Sequence, residues 1–120
     1  VTVGGVPFDK LGLDKTAILT QTRRAGMDII EGKGSTEFGI GLSLAQLAAA
    51  ILGDQHRVLP VSVLLEGEYG QQGVHCGVPC RIGRRGIEEI VVLDLTEEDQ
   101  QQLDASCQVI RKHIALADSL

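Results

Sequence analysis

The chain has 120 residues, 43% of them apolar and 2% aromatic, which suffices for one domain with an aliphatic core. A formal net charge of −5 excludes the concentrated basic surface that nucleic-acid binding requires, so no nucleic-acid partner is expected. No apolar run approaches the roughly 18 to 20 residues of a membrane span, and no secretory leader is recognisable, so we expect neither a membrane anchor nor a signal peptide.

The N-terminal segment starts without a methionine and in the middle of an apolar stretch. Residues 1–3 are predicted to end a strand, and residues 4–7, Gly-Gly-Val-Pro, are predicted to form a turn. This beginning indicates that the chain is a piece of a longer protein.

Two helices are predicted after this turn. In residues 14–31, Ile18, Ala25 and Ile29 recur at helical spacing, and Gly32 is expected to cap the C-terminus. Residues 35–52 form the second predicted helix, with Ser35 as its N-cap. That helix is apolar on nearly all sides, which is typical of a buried helix.

Three strands are predicted next, in residues 58–66, 74–82 and 87–93. Their connections, residues 67–73 and 83–86, are short, which favours antiparallel hairpins. Because proline has no N–H, Pro79 is expected on an edge strand or at a bulge.

The three cysteines are predicted to be small buried hydrophobic residues in a reducing compartment. Cys76 and Cys80 share one face of a predicted strand at a separation of about 13 Å, beyond the roughly 7 Å that a disulfide allows. His75 belongs to the opposite face. A thiol-redox or metal site at these cysteines is therefore disfavoured, and no metal site is predicted.

The last predicted element is an amphipathic helix, with Thr96 as its N-cap and acidic residues in its first turn. Its apolar stripe consists of Leu103, Cys107, Ile110, Ile114 and Ala117, and its polar face of Glu97, Glu98, Gln101, Gln108, Arg111 and Lys112. The order of elements predicts an α+β fold, in which helices pack on one face of an antiparallel sheet meander.

The loop between the first two helices, GKGST in residues 32–36, superficially matches a phosphate-binding loop. A Walker A loop needs G-x-x-x-x-G-K-[ST] and a Rossmann loop needs G-x-G-x-x-G, each directly after a strand. This loop has neither spacing and follows a helix. Two interpretations are left from the residues alone: a simple bend between helices, or a carboxylate site at the start of the second helix.

Three segments of the chain, taken in order, carry a family resemblance. They are GKGSTEFGIG (residues 32–41), VLPVSVLLEGEYG (58–70) with GVPCRIGRRGIEEI (77–90), and LTEEDQQQLDASCQVIRK (95–112). They resemble the C-terminal half of L-lactate dehydrogenases and of the related malate and L-2-hydroxy acid dehydrogenases. The resemblance implies that residues 1–120 form the C-terminal α/β domain of such an enzyme, whose N-terminal Rossmann domain lies outside this chain.

By this resemblance, Thr36 contacts the 2-oxo or 2-hydroxy acid substrate and Ile40 packs against the nicotinamide of NAD. The implied activity is the interconversion of L-lactate and pyruvate by hydride transfer, an activity of glycolysis, in a cytoplasmic homo-oligomer of the tetrameric type. Malate and other L-2-hydroxy acids are alternative substrates, and NADP is an alternative to NAD.

The family's catalytic groups lie upstream of the matching segments, so no catalytic residue is expected here and the fragment alone is expected to be inactive. The histidines His56, His75 and His113 match no family motif, and none lies near a carboxylate in sequence in a way that suggests a catalytic dyad. Each is therefore predicted to be structural or solvated. A free-standing, non-enzymatic assembly module is the alternative from a different functional class.

Overall fold

The computed structural model of the chain describes residues 2–3 and 5–120. It divides into two compact units, Val1–Ser43 (unit 1) and Leu44–Leu120 (unit 2). The predicted α+β class is confirmed, since α-helices accompany a three-stranded antiparallel sheet. The parts of the predicted strand and turn that fall on residues 1 and 4 lie outside the described residues.

Unit 1 begins with two very short strands and a long helix. Strand β1 (Thr2–Val3) pairs antiparallel with β2 (Val6–Pro7), so the predicted turn at 4–7 is wrong for its last two residues. After a 3-10 helix (Phe8–Leu11), helix α1 spans Lys15–Lys33. Asp14 caps α1 because its carboxylate accepts the Thr16 and Ala17 N–H groups at 2.9 and 3.0 Å.

Helix α2 spans Phe38–Leu52 and crosses from unit 1 into unit 2. The prediction of a buried helix is wrong for most of it, because Ala50 is its only fully buried residue. The exposed apolar side chains include Phe38 at 80% and Ile40 at 60%. Apolar composition shows that a helix can be buried on any side, but it does not show which neighbours cover it.

The sheet of unit 2 is the predicted meander. Strands β3 (Arg57–Glu66), β4 (Gln72–Gly83) and β5 (Gly86–Ile90) pair antiparallel in the order β3-β4-β5. A 3-10 helix (Glu68–Gly70) lies in the first connection, and the second is a two-residue turn. Strand β5 ends three residues before its predicted end.

Pro79 lies on the central strand, so its predicted edge position is wrong, and the bulge on β4–β5 falls between Arg81 and Ile82 instead. The Pro79 carbonyl accepts the Val91 N–H at 2.9 Å. Because such a pair in an antiparallel ladder normally exchanges two hydrogen bonds, the Pro79 nitrogen, which carries no hydrogen, faces the Val91 carbonyl. The Tyr69 hydroxyl donates to that carbonyl at 2.8 Å. A tyrosine therefore supplies the hydrogen bond that the proline cannot make.

The core of unit 2 lies on one face of β4 and confirms the predicted alternation. Its fully buried members are Ala50, Leu65, Val74, Cys76, Val78, Cys80, Ile82 and Cys107, with Leu47, Ile51, Leu103 and Ile110 packed against them. All three cysteines are buried free thiols, as predicted. Burial raises the pKa of Cys80 and of Cys107, so both thiols stay protonated and unreactive near neutral pH.

Helix α3 spans Glu97–Ala117, and Thr96 caps it by accepting the Asp99 N–H at 3.1 Å. The predicted apolar stripe packs around Cys107, but Ile114 in its last third is exposed. Arg111, predicted on the polar face, is half-buried and donates to the Gln71 side chain and the Gln72 carbonyl, both at 3.0 Å. Within the described residues, no helix combines the length and apolarity needed to cross a membrane.

Candidate active-site loop

The candidate loop is the segment between α1 and α2 in unit 1. Helix α1 runs through the predicted cap at Gly32 and stops at Gly34, which adopts a left-handed conformation (φ 86°) and donates its N–H to the Ile30 carbonyl at 2.7 Å. Glycine adopts this conformation without the Cβ penalty that other residues incur. The prediction that Gly32 caps the helix is therefore wrong by two residues.

Helix α2 begins at Phe38, with the Glu37 carbonyl accepting the Gly41 N–H at 2.9 Å. The prediction of Ser35 as the N-cap is wrong, because the Ser35 hydroxyl donates to the Glu37 carboxylate inside the loop. A serine before an apolar helix is typical of an N-cap, but an acidic side chain two residues later competes for its hydroxyl.

The Glu37 carboxylate binds a second partner, the Lys33 ammonium group. Lys33 also lies 4.7 Å from the centre of the Phe38 ring, at a distance suited to a cation–π contact. The Lys33 and Ser35 hydrogen bonds lower the pKa of Glu37, in that order of size. The loop lysine is thus paired with a carboxylate, an arrangement that does not favour a phosphate cradle.

Thr36, the predicted substrate contact, lies at the centre of this loop and is half-buried. Among the described residues its hydroxyl has no side-chain hydrogen-bond partner, whereas that of the preceding Ser35 is occupied. The loop therefore holds one hydroxyl internally and leaves the other available to a ligand oxygen.

Ile40, the predicted nicotinamide contact, lies in the first turn of α2, four residues after Thr36. Its side chain is largely exposed and presents an aliphatic surface. Both predicted site residues therefore belong to one short segment of unit 1, the loop and the helix start that follows it.

The sequence suggests no carboxylate dyad for any histidine, but the structure pairs one of them with two carboxylates. His56 has carboxylate partners: its Nδ1 lies 2.7 Å from Glu88 Oε2, and its Nε2 lies 3.6 Å from Asp54 Oδ1. Glu88 is 32 positions away, so only the sheet pairing reveals it. The partner that is nearer in sequence, Asp54, precedes His56 by two residues and could have been identified from the sequence.

Comparison with known proteins gives one family. The family model of the lactate/malate dehydrogenase α/β C-terminal domain matches residues 9–119. L-lactate dehydrogenase 3 of Bacillus anthracis is 42% identical over 125 residues, covering 95% of this chain and 39% of the relative. A malate dehydrogenase of Oceanobacillus iheyensis is 46% identical over 114 residues, covering 90% of this chain and 36% of the relative.

Solved structures agree with this family. The malate dehydrogenase of Salinibacter ruber superposes with a TM-score of 0.93 at 33% identity, covering 99% of this chain and 40% of that one. The malate dehydrogenase of Aeropyrum pernix gives a TM-score of 0.85 at 37% identity, with coverages of 92% and 38%. The chain thus spans about two-fifths of the length of these relatives.

Proposed function

Because the chain belongs to the lactate/malate dehydrogenase family, we propose that it is the substrate-side domain of an NAD-dependent L-lactate dehydrogenase. In this proposal an N-terminal nucleotide-binding domain precedes it in the whole protein. The observation that carries the proposal for the site is the contrast between two neighbouring hydroxyls: that of Ser35 is bound to Glu37, and that of Thr36 is not bound by any described side chain.

Thr36 is proposed to hydrogen-bond the carboxylate or the 2-oxo oxygen of the substrate. A hydroxyl both donates and accepts, so it can bind the oxo acid and the hydroxy acid in turn. Binding at this position orients the reacting carbon, and orientation accounts for a large part of the rate of such reactions. The Lys33–Glu37–Ser35 bonds support this role because they hold the loop around Thr36 without using its hydroxyl.

Ile40 is proposed to pack against the nicotinamide ring. Family members are generally NAD-dependent, and the nicotinamide supplies the position that accepts or donates the hydride. An exposed aliphatic side chain in the first turn of α2 fits a flat ring and excludes water from it.

The remaining parts of the enzyme are proposed to lie outside this chain. The groups that exchange the substrate proton and bind its carboxylate through arginine belong to the N-terminal half, so the 120-residue chain alone is expected to be inactive. A cytoplasmic homotetramer is proposed from the family. The exposed apolar side chains of α2 favour a protein in which another domain or subunit covers this helix. They disfavour a free-standing assembly module, in which they would remain in contact with water.

Lactate is proposed over malate because a threonine occupies position 36. The malate dehydrogenase relative at 46% identity keeps malate as the second candidate, with other L-2-hydroxy acids behind it. A pocket that hydrogen-bonds the distal carboxylate of oxaloacetate would reject pyruvate strongly, because its polar groups would lose their partner.

Steady-state NADH oxidation by the full-length protein tests this choice with pyruvate, oxaloacetate and 2-oxoisocaproate. The proposal expects kcat/KM to be highest for pyruvate, by at least about tenfold, which corresponds to roughly 1.4 kcal/mol of transition-state discrimination. Preference for oxaloacetate would replace the proposed substrate with malate. Absence of NADH oxidation with all three acids would withdraw the proposed activity, and the 120-residue chain serves as the inactive control.

A further inference from the structure

A second cluster of functional side chains lies in unit 2, apart in sequence from the loop that carries Thr36. Asp54, His56 and Glu88 bring one ligand atom each to within 4.8 Å of one another, and among the described residues they are the one such group of three. We propose that these three side chains form a binding site for a single divalent transition-metal ion of the zinc type.

The first ligand is positioned by the end of α2. The Asp54 N–H donates to the Ile51 carbonyl at 3.2 Å and the Gln55 N–H to the Ala50 carbonyl at 2.9 Å, the bonding pattern of a Schellman cap. That pattern requires a left-handed residue at position 54, and Asp54 has φ 49°. Its carboxylate accepts the Arg84 N–H at 2.7 Å, which fixes the side chain towards the β4–β5 turn.

The second ligand follows two residues later in an equally uncommon conformation. His56 has φ 50°, a conformation that few residues other than glycine adopt and that the cap of α2 does not require. This backbone geometry turns the imidazole back towards the turn, between the two carboxylates.

The third ligand is placed by a β-bulge. In the β4–β5 pairing Arg81 opposes Glu89 and Ile82 opposes Ile87, so Glu88 is the extra, unpaired residue. A bulge re-aims the side chain of its extra residue, and the Glu88 carboxylate is directed at His56, 2.7 Å from the ring. Its side chain is 19% exposed, whereas residue 88 taken as a whole, backbone included, is exposed.

Gly83 provides the space for this carboxylate. A Cβ atom at position 83 would lie well inside van der Waals distance of the Glu88 carboxylate, and the backbone at Gly83 is not left-handed. An alanine there would therefore move the carboxylate without straining the backbone. Gly83 thus offers a variant that displaces one ligand and removes none.

An imidazole nitrogen and carboxylate oxygens are ligand types that zinc accepts, and three protein ligands leave a fourth position for water. A single ion binds only one imidazole nitrogen, so the 2.7 Å contact of Nδ1 with Glu88 and the 3.6 Å contact of Nε2 with Asp54 cannot both be ligand separations at that ion. One ligand atom from each residue lies within 4.8 Å of the others, and side-chain rotations that bring these atoms to about 3.3 Å from one another would place them around an ion at bond lengths of about 2.0–2.1 Å. A bound ion would tie the loop after α2 to strand β5. The alternative arrangement is a simple ion-pair network in which a protonated His56 bridges two carboxylates.

Zinc titration of the full-length protein by calorimetry separates the two arrangements. We expect one Zn²⁺ per chain, a loss of affinity of at least about tenfold in both His56→Ala and Glu88→Gln, and a smaller loss in Gly83→Ala. His113→Ala is the matched control, because His113 lies on α3 outside the cluster, and it should bind like the wild type.

Thermal unfolding gives a second readout that does not depend on enzyme activity. Excess Zn²⁺ should raise the Tm of the wild type and of His113→Ala by several degrees and leave that of His56→Ala unchanged. If His56→Ala does not fold, Glu88→Gln and Gly83→Ala provide the same comparison. Absence of saturable binding in the wild type, or binding that survives in both His56→Ala and Glu88→Gln, would overturn the proposal and leave the ion-pair network.

Discussion

The two units of the chain differ in what holds them together. Unit 2 contains every buried side chain that the structure describes, arranged on one face of β4 beneath α3 and the end of α2. In unit 1, none of the side chains described between residues 5 and 43 is buried. Its conformation depends instead on local hydrogen bonds, such as the Asp14 cap and the Lys33–Glu37–Ser35 contacts.

The proposed substrate residue lies in the unit without a core. Loops that bind ligands are drawn from regions with few buried contacts, because they need surface that the fold does not use. Thr36 and Ile40 illustrate this: one has an unused hydroxyl and the other an exposed aliphatic side chain. The comparison therefore predicts that mutations in unit 2 affect stability first, whereas mutations around Thr36 affect binding first.

The largest expected effect comes from the core of unit 2. Leu65 is fully buried, so Leu65→Ala should lower the free energy of unfolding by about 2–5 kcal/mol. The adjacent Leu64 is 40% exposed, and Leu19 in α1 is 47% exposed, so the same substitution at either should cost far less. Urea unfolding of the 120-residue chain measures all three. If Leu19→Ala lowers the free energy of unfolding as much as Leu65→Ala does, the two units do not differ in this way.

A smaller effect is expected at Tyr69, whose hydroxyl donates to the Val91 carbonyl and accepts the Leu93 N–H at 3.1 Å. Tyr69→Phe should cost about 1–2 kcal/mol, because it leaves both groups without that partner. In a Pro79→Ala background the new N–H faces the same Val91 carbonyl, so Tyr69→Phe should cost less there. A double-mutant cycle by urea unfolding tests this, and equal costs in the two backgrounds would show that the tyrosine does not replace the proline's missing hydrogen bond.

The smallest expected effect concerns the loop of unit 1 and depends on pH. Because the folded chain holds the pKa of Glu37 below its ordinary value of 4.5, the unfolded chain binds the proton more tightly. The stabilisation is therefore fully present above that value and is lost as the pH falls through the folded pKa. Between pH 7 and pH 3 the free energy of unfolding should therefore fall more for the wild type than for Glu37→Gln.

Salt provides the control for this prediction. The carboxylate is exposed, so about 1 M NaCl should remove most of the difference between the two pH profiles, since charges are then screened within about 3 Å. Parallel profiles at low salt would mean that the Lys33 and Ser35 contacts with Glu37 do not stabilise the folded chain.

The sequence predicted the architecture of unit 2 well because its signals are strong and local. The alternation around Cys76 and Cys80 fixes which face of β4 is buried, and the short connections fix the antiparallel order. Pro79 misled the prediction because its missing hydrogen bond is replaced by the Tyr69 hydroxyl, which donates to Val91 across 22 residues of chain. The Arg111 contact with Gln71 is also long-range and carries no periodic signal.

The candidate sites were predictable to different degrees. The loop was located from its motif, and Thr36 and Ile40 came from the family resemblance; their roles stay predictions. The helix ends were misplaced because Gly32 and Gly34 are equally plausible caps in sequence, and only hydrogen bonding decides between them. The cluster around His56 was missed because a β-bulge aims Glu88, and a bulge leaves no signature in a single sequence.

The most direct test of the central claim is the kinetics of Thr36→Val in the full-length protein, with Ser35→Ala as the neighbouring control. If Thr36 bonds the substrate, the valine variant should unfold like the wild type while its kcat/KM for pyruvate falls roughly 10- to 100-fold. Ser35→Ala should change kcat/KM far less, because Lys33 still holds Glu37. A Thr36→Val enzyme that keeps wild-type kcat/KM for pyruvate would contradict the assignment of this loop to the substrate.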